Sequence, residues 1–152
     1  AGSAGVSDAQ CYVGHYDGVF QSINLKTGEI LWSAGDPENA MPILTAPAID
    51  ETHIVYGSRD NSITCVNRNT GKSIWVFQTN GQVESSPVLV DGKVIGACMK
   101  GFIYLIDLAD GSLLWKYEIG SAISSSPAVV NNRFVIGSKD GFIYTFGVKE
   151  QD

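Results

Sequence analysis

The stretch GFIYLIDLADGSLLWKY, from Gly101 to Tyr117, reads as strand, tight turn and strand, closed by a tryptophan. Phe102, Tyr104 and Ile106 fall on one face of the first strand, Ile103 and Leu105 on the other. Both faces are apolar, which predicts a strand covered on both sides. Asp107 opens a turn that Gly111 finishes, because an Asx side chain caps such a turn and glycine tolerates positive φ. Leu113, Leu114 and Trp115 begin the next strand.

The same phrase stands at Asn67–Trp75 (NRNTGKSIW) and at Asn24–Trp32 (NLKTGEILW). Trp115, Trp75 and Trp32 lie 40 and 43 residues apart. A second phrase precedes each of them: GHYDG ending at Gly18, GSRDN at Asn61, ACMKG at Gly101, and once more GSKDG at Gly141, spaced 43, 40 and 40. A period near 40 with turn signals inside each unit predicts an all-β chain. The architecture it implies is a β-propeller, with four antiparallel strands to a blade.

The run Asx-x-x-Thr-Gly-x-x-x-Trp, with Asp-Gly and Ser-Pro segments between copies, resembles the PQQ-like (quinoprotein-type) β-propeller repeat over nearly the whole chain. That family includes quinoprotein dehydrogenases, a lipoprotein scaffold for outer-membrane protein assembly, and sensor domains attached to kinases. The resemblance implies about four PQQ-like repeats with the last incomplete, in a periplasmic or other extracytoplasmic location. It also implies a blade-docking role for Trp32, Trp75 and Trp115, with Gly28, Gly71 and Gly111 in the turns beside them. The fixed place of the indoles in each repeat points the same way, since periodic positions report packing. Leu105 and Asp110 depart from the small residue and the threonine usual in the pattern.

A chain of 152 residues can bury a real core as one domain, 1–152. Charged residues at 17%, 17 glycines and 44% hydrophobic residues suit a turn-rich all-β protein. A net charge of −6 with no basic stripe argues against nucleic acid or an anionic membrane as partner. No run approaches the length of a transmembrane helix, so no transmembrane segment is expected. The chain starts at Ala1 without a methionine or a signal peptide, and the expectation is a processed, tagged or excised chain. Cys11, Cys65 and Cys98 are scattered; Cys11 and Cys65 occupy repeat positions of small core hydrophobes.

The repeats are predicted at about 3–33, 44–78, 85–118 and 125–147. In the first, residues 3–6, Gln10–Gly14, Val19–Asn24 and Ile30–Ser33 are the strands, and Asp17-Gly18 predicts a type I′ hairpin. The link AGDPENAMPI, Ala34 to Ile43, is three residues longer than its counterparts. Its Pro37, Glu38, Asn39 and Met41 are candidate partner contacts, with the links 78–84 and 119–124 on the same face. In the fourth repeat Gly147 stands where Asp107 stands in the third, and no Thr-Gly or Trp follows in the polar tail Val148–Asp152. Blade four therefore lacks its outer strand, and the ring is not expected to close alone. Ile23 and Val19 at one end, and Phe142 and Tyr144 at the other, are the expected exposed faces. The rest of a longer propeller, or a second copy joined head to tail, would cover them.

No residue is assigned a catalytic, cofactor-binding or metal-binding role. Asp17, Asp60 and Asp140 recur in hairpin turns, where Asp serves the backbone, and Lys100 replaces them in blade three. His15 and His53 are isolated, and no HExxH, CxxC, GxSxG or phosphate-loop pattern occurs. PQQ-dependent dehydrogenases, as a family, use adjacent cysteines, a tryptophan floor under the quinone, and Glu, Asn and Asp around calcium. Here no two cysteines are adjacent and no acidic cluster lies outside turns. The expectation is a non-catalytic interaction or scaffold module with a protein partner and no cofactor. The alternatives are part of a PQQ-dependent dehydrogenase, or a ligand-sensing extracytoplasmic domain of a kinase.

Overall fold

Strands buried on both faces dictate how this chain packs: each sheet needs a neighbour on either side. The computed structural model describes residues 2–35, 38 and 41–147. Pro37, Asn39 and the tail Val148–Asp152 lie outside the described residues. Blade one contains β1 (Gly5–Ser7), β2 (Gln10–Gly14), β3 (Phe20–Asn24) and β4 (Ile30–Ala34). Blade two contains β5 (Ala48–Ile49), β6 (His53–Ser58), β7 (Ser62–Asn67) and β8 (Ser73–Gln78). Blade three contains β9 (Val88–Val90), β10 (Lys93–Ala97), β11 (Phe102–Asp107) and β12 (Leu113–Glu118). Blade four has β13 (Ala128–Val130), β14 (Arg133–Gly137) and β15 (Ile143–Gly147). Each sheet pairs its strands antiparallel in chain order, and the last has three strands among the described residues.

The apolar core is divided into three layers, one between each pair of blades. Tyr12 and Phe20 of blade one meet Ile54, Tyr56 and Val66 of blade two. Val55, Ile63, Cys65 and Trp75 of blade two meet Val94, Tyr104 and Ile106 of blade three. Ile95 and Ile103 of blade three meet Ile136, with Phe134, Tyr144 and Phe146 partly buried beside it. Phe20 and Tyr56 stack with centroids 4.3 Å apart and planes 8° from parallel, a pair that adds about 1 kcal/mol beyond its area.

Three local details depart from the sequence reading. The connection at Asp17-Gly18 is not a two-residue type I′ turn. Gly14 pairs with Phe20, and the His15 N–H donates to the Val19 carbonyl at 2.8 Å, leaving a three-residue loop. Type I′ needs positive φ at both central residues, whereas here only Gly18 has it, at 75°. Asn61, Gly101 and Gly141 hold the same third position in their blades, with φ of 67°, 82° and 89°. Second, strand pairing shifts register between Ser22/Ile23, Cys65/Val66 and Leu105/Ile106, so each outer strand carries a bulge just before its tryptophan.

Third, the exposed end of blade four is not Tyr144. Side chains alternate along β15, and Tyr144 and Phe146 pack toward blade three. Ile143, 78% exposed, faces away with Thr145, while Phe142 lies on the Tyr144 side and is 65% exposed at the rim. Ile143 holds the repeat position of Phe20, Ile63 and Ile103, each fully buried against a following blade. At the other end Val19 and Ile23 are half-buried.

Candidate interaction face and the joints that hold it

The turn before each outer strand is built by its Asx residue. Asn67 Oδ1 accepts the Asn69 and Thr70 N–H groups at 3.0 and 3.1 Å, and Gly71 donates back to the Asn67 carbonyl at 2.8 Å. Asn24 makes the same bonds to Lys26 and Thr27, with Gly28 closing on its carbonyl. Asp107 accepts from Ala109 at 2.8 Å, and Gly111 closes that turn.

Two of these turns carry an indole from the preceding blade. Trp32 donates its ring N–H to the Arg68 carbonyl at 3.0 Å, and its ring lies against Gly71. Trp75, 8% exposed, donates to the Leu108 carbonyl at 2.8 Å and lies against Gly111. A Cβ on Gly111 would stand 2.7 Å from Cγ and Cδ2 of that ring. The other members of the set differ. Trp115 is 37% exposed, packed on Tyr117 and Phe146, and Gly28 has nothing within 4 Å of its missing Cβ.

Arg68 is a structural residue that the repeat reading passed over. Leu25 and Leu108 hold its position in the neighbouring repeats, so the break in periodicity was its only signal. Nearly buried, it donates to Tyr12 Oη, the Asp50 carbonyl and Ser7 Oγ at 3.0 Å each, and to Asp8 at 2.6 Å. The Tyr12 hydroxyl first, and then the Asp8 carboxylate, hold its guanidinium above its ordinary pKa. One side chain thus ties blade two to two strands of blade one.

The blade-to-blade links form a face whose backbone is fixed from both sides. Each sinks one apolar anchor, Ile43, Val83 or Ile123, all but fully buried. Ile43 N–H donates to His15 and Val83 N–H to Ser58, across to the hairpin of the preceding blade. In the other direction Arg59, Met99 and Lys139 donate to the carbonyls of Pro42, Gln82 and Ala122, from the hairpin of the following blade. Arg59 also pairs with Glu84 at 2.5 Å. Deeper in, Thr45 Oγ1 accepts from the Gly57 N–H at 2.9 Å and donates to the Gly57 carbonyl at 3.0 Å. Ser125 repeats this with Gly137, whereas the buried Ser85 hydroxyl has no partner among the described residues.

On this frame Met41 is exposed, and so are Glu38, Gln82 and Ser124. Beside Met41 a groove of about 450 Å³ runs between blades one and two. Tyr56, Ser58, Asp60, Ser62 and Thr64 line it with hydroxyl and carboxylate groups over an apolar floor that includes Ile43. Burial, helped by the Asp60 charge, pushes the Tyr56 hydroxyl up to about 12, so it stays a neutral hydrogen-bonding group.

The remaining polar candidates serve local structure. His53 packs on Asp50, Nδ1 to Oδ2 3.1 Å, and the Asp50 carboxylate also accepts the Thr52 and His53 backbone N–H groups. Burial raises the Asp50 carboxyl, but those two N–H groups and the imidazole outweigh it and leave its pKa below the ordinary value. Asp140 accepts from the Phe142 N–H and from Tyr144 Oη, within its own hairpin. Cys65 and Cys98 are buried free thiols, Cys11 a half-buried one. Among the described residues no three His, Cys, Asp or Glu side chains converge as metal ligands. No helix there is long and apolar enough to cross a membrane.

Sheets of this kind, stacked face to face with an outer-strand tryptophan in each complete blade, define a β-propeller of PQQ-like repeats. The chain belongs to the PQQ-like β-propeller family: the family model described as outer membrane protein assembly factor BamB matches residues 59–150. Among curated proteins no sequence match is found. BamB from Moraxella catarrhalis superposes with a TM-score of 0.83 at 20% identity, over 96% of this chain and 49% of that one. The computationally designed Ika4 protein gives 0.83 at 19% identity, over 96% and 89%. The quinohemoprotein alcohol dehydrogenase of Comamonas testosteroni gives 0.78 at 18%, over 90% and 28%. The chain thus spans about half the length of that BamB. At these identities the superpositions establish the fold.

Proposed function

We propose that this chain is a non-catalytic propeller module that binds a protein partner as a scaffold, in a periplasmic or other extracytoplasmic setting. The link face carries this reading. Its loops are anchored by Ile43, Val83 and Ile123 and bonded to the hairpins beside them, so exposed Met41, Gln82 and Ser124 are presented on a backbone already in place. A preformed surface avoids much of the ordering cost of association. The groove beside Met41 combines an apolar floor with hydroxyl groups able to accept or donate, which suits a polypeptide segment. The family description, an assembly factor, supports the same class of function. In this reading Trp32 and Trp75 on Gly71 and Gly111 hold the blades in register, and Pro37, Glu38, Asn39 and Met41 are the partner contacts expected from the sequence.

A quinoprotein dehydrogenase fragment is the competing reading, supported by the structural similarity to the Comamonas enzyme. Thermal unfolding with PQQ and Ca²⁺ separates the two. A native-state ligand at 100 times its Kd stabilises by about 2.7 kcal/mol. No shift in melting temperature is expected here, and a clear saturable rise would overturn the scaffold assignment.

A further inference from the structure

We propose that the groove between blades one and two is a socket for an aromatic side chain, tyrosine before phenylalanine, presented by an extended segment of a protein partner. This rests on the scaffold reading above and names what the partner must offer. Its basis is the way this joint departs from the other two. Between blades two and three, Phe77 and Phe102 pack beside the buried Tyr104, and Phe77 meets Tyr104 edge-on with centroids 5.2 Å apart. Between blades three and four the same repeat positions hold Tyr117, Phe142 and Tyr144. Between blades one and two they hold Ala34, Ser62 and Thr64.

Both blades at this joint have all four strands, so the opening does not depend on either end of the chain. The groove of about 450 Å³ is lined by Ala34, Ser62 and Thr64, the residues that replace the rings. Tyr56 restores one ring on the neighbouring strand, where Gly96 and Ile136 stand in the next blades. That ring is buried and stacks flat on Phe20, so the outer part of the groove, toward Ser73 and Val76, stays open.

The polar groups specify the occupant further. Asp60 is the one charged side chain lining the groove among the described residues. Its Oδ1 accepts from Ser62 Oγ at 2.6 Å, and its Oδ2 has no hydrogen-bond partner among the described residues. In blade four the equivalent Asp140 accepts the Tyr144 phenol on Oδ2 at 2.7 Å. In blade three, where Lys100 replaces the aspartate, Tyr104 donates to Asn80 Oδ1 at 2.8 Å. Each of these phenols ends on an acceptor, and in the groove the acceptor stands without its phenol. A carboxylate there favours a neutral donor and repels phosphotyrosine or an acidic side chain. Met41, exposed at the mouth, adds a flexible thioether of the kind that packs well against aromatic rings. Aromatic anchors seated in pockets carry much of the energy of protein interfaces.

The test titrates this chain, labelled with nitrogen-15, with the pentapeptides acetyl-Gly-Gly-X-Gly-Gly-amide, where X is tyrosine, phenylalanine or leucine. Amide NMR shifts at Ser62, Thr64 and Val76 report binding. Saturable shifts with a Kd of about 1–10 mM are expected for tyrosine, about fivefold weaker binding for phenylalanine, and none for leucine. In Asp60→Asn the single amide oxygen is engaged by Ser62, and the preference for tyrosine over phenylalanine is expected to vanish. Ala34→Phe, which returns the ring that Phe77 supplies at the next joint, is expected to abolish the shifts without lowering the melting temperature. The peptide series on the unaltered protein decides the matter even if that variant does not fold. Tyrosine bound no better than leucine would overturn the socket and leave the scaffold reading standing. No binding by any of the peptides would overturn both the socket and the groove's share in that reading.

Discussion

Gly28 and Gly111 allow a controlled measurement of what an indole seat is worth. Both close the same Asx turn and both have φ of +75°. Alanine at either site pays for left-handed backbone, about 1–2 kcal/mol. At Gly28 that is the whole effect, because its Cβ would meet nothing within 4 Å. At Gly111 the Cβ would stand 2.7 Å from the Trp75 ring and 3.0 Å from the Trp75 Cβ. The side chain must then move in a layer where Val55, Ile63, Tyr104 and Ile106 are all but fully buried. Overpacking of that kind costs about 1–3 kcal/mol. Weakening the 2.8 Å bond from the indole to Leu108 adds about 0.5–1.5 kcal/mol. Gly111→Ala is therefore expected to destabilise by about 2–4 kcal/mol more than Gly28→Ala. Urea unfolding followed by far-UV circular dichroism measures both, with comparison valid if the m-values agree. Equal losses would show that the glycine is retained for its backbone alone and that the seat adds nothing.

Thr45→Val removes a hydroxyl that satisfies both groups of Gly57, and should cost about 1–3 kcal/mol in the same assay; Ser85→Ala, which removes an unpartnered buried hydroxyl, should be close to neutral. Alkaline pH should unfold the protein through Cys65 and Tyr56. Burial raises both, to about 12 from 9.0 and 10.0, so their folded-state protons are retained where the unfolded chain has lost them. Stability is then full below about pH 9 and falls by about 1.4 kcal/mol per pH unit per group up to about pH 12. A midpoint in urea that stays flat from pH 8 to 11 would contradict that burial.

The blade architecture was legible because a propeller repeats one local solution. Asx, Gly and Trp recur at fixed offsets; the Asx turn is the same in all three copies, and the indole seat is filled at Gly71 and Gly111. That blade four has three strands among the described residues was legible in the same way, since Gly147 breaks the phrase. What repetition does not encode was missed. The hairpin at Asp17-Gly18 reads as two residues because that dipeptide suits type I′, yet pairing of Gly14 with Phe20 sets the loop at three. Side-chain direction on β15 was misassigned because Phe142, Ile143 and Tyr144 are all apolar; the position of Ile143 under Phe20, Ile63 and Ile103 in the repeat frame contained the answer. Arg68 was overlooked because its partners, Ser7, Asp8, Tyr12 and Asp50, are spread along the sequence and share no motif. The link face was visible as lengthened, proline-bearing chain, but its rigidity comes from anchors and backbone bonds that only the packed blades supply.

The interaction role is tested most directly by placing a photo-crosslinking benzoylphenylalanine at two exposed positions on opposite ends of the strands. Met41 lies on the link face, and Lys26 in the turn before β4 serves as the control. Each variant is checked for unchanged melting temperature and irradiated in extract of the source cells. A discrete protein adduct from position 41 and none from position 26 is the expected result. Adducts from position 26 alone, or from neither, would contradict a scaffold that works through its link face.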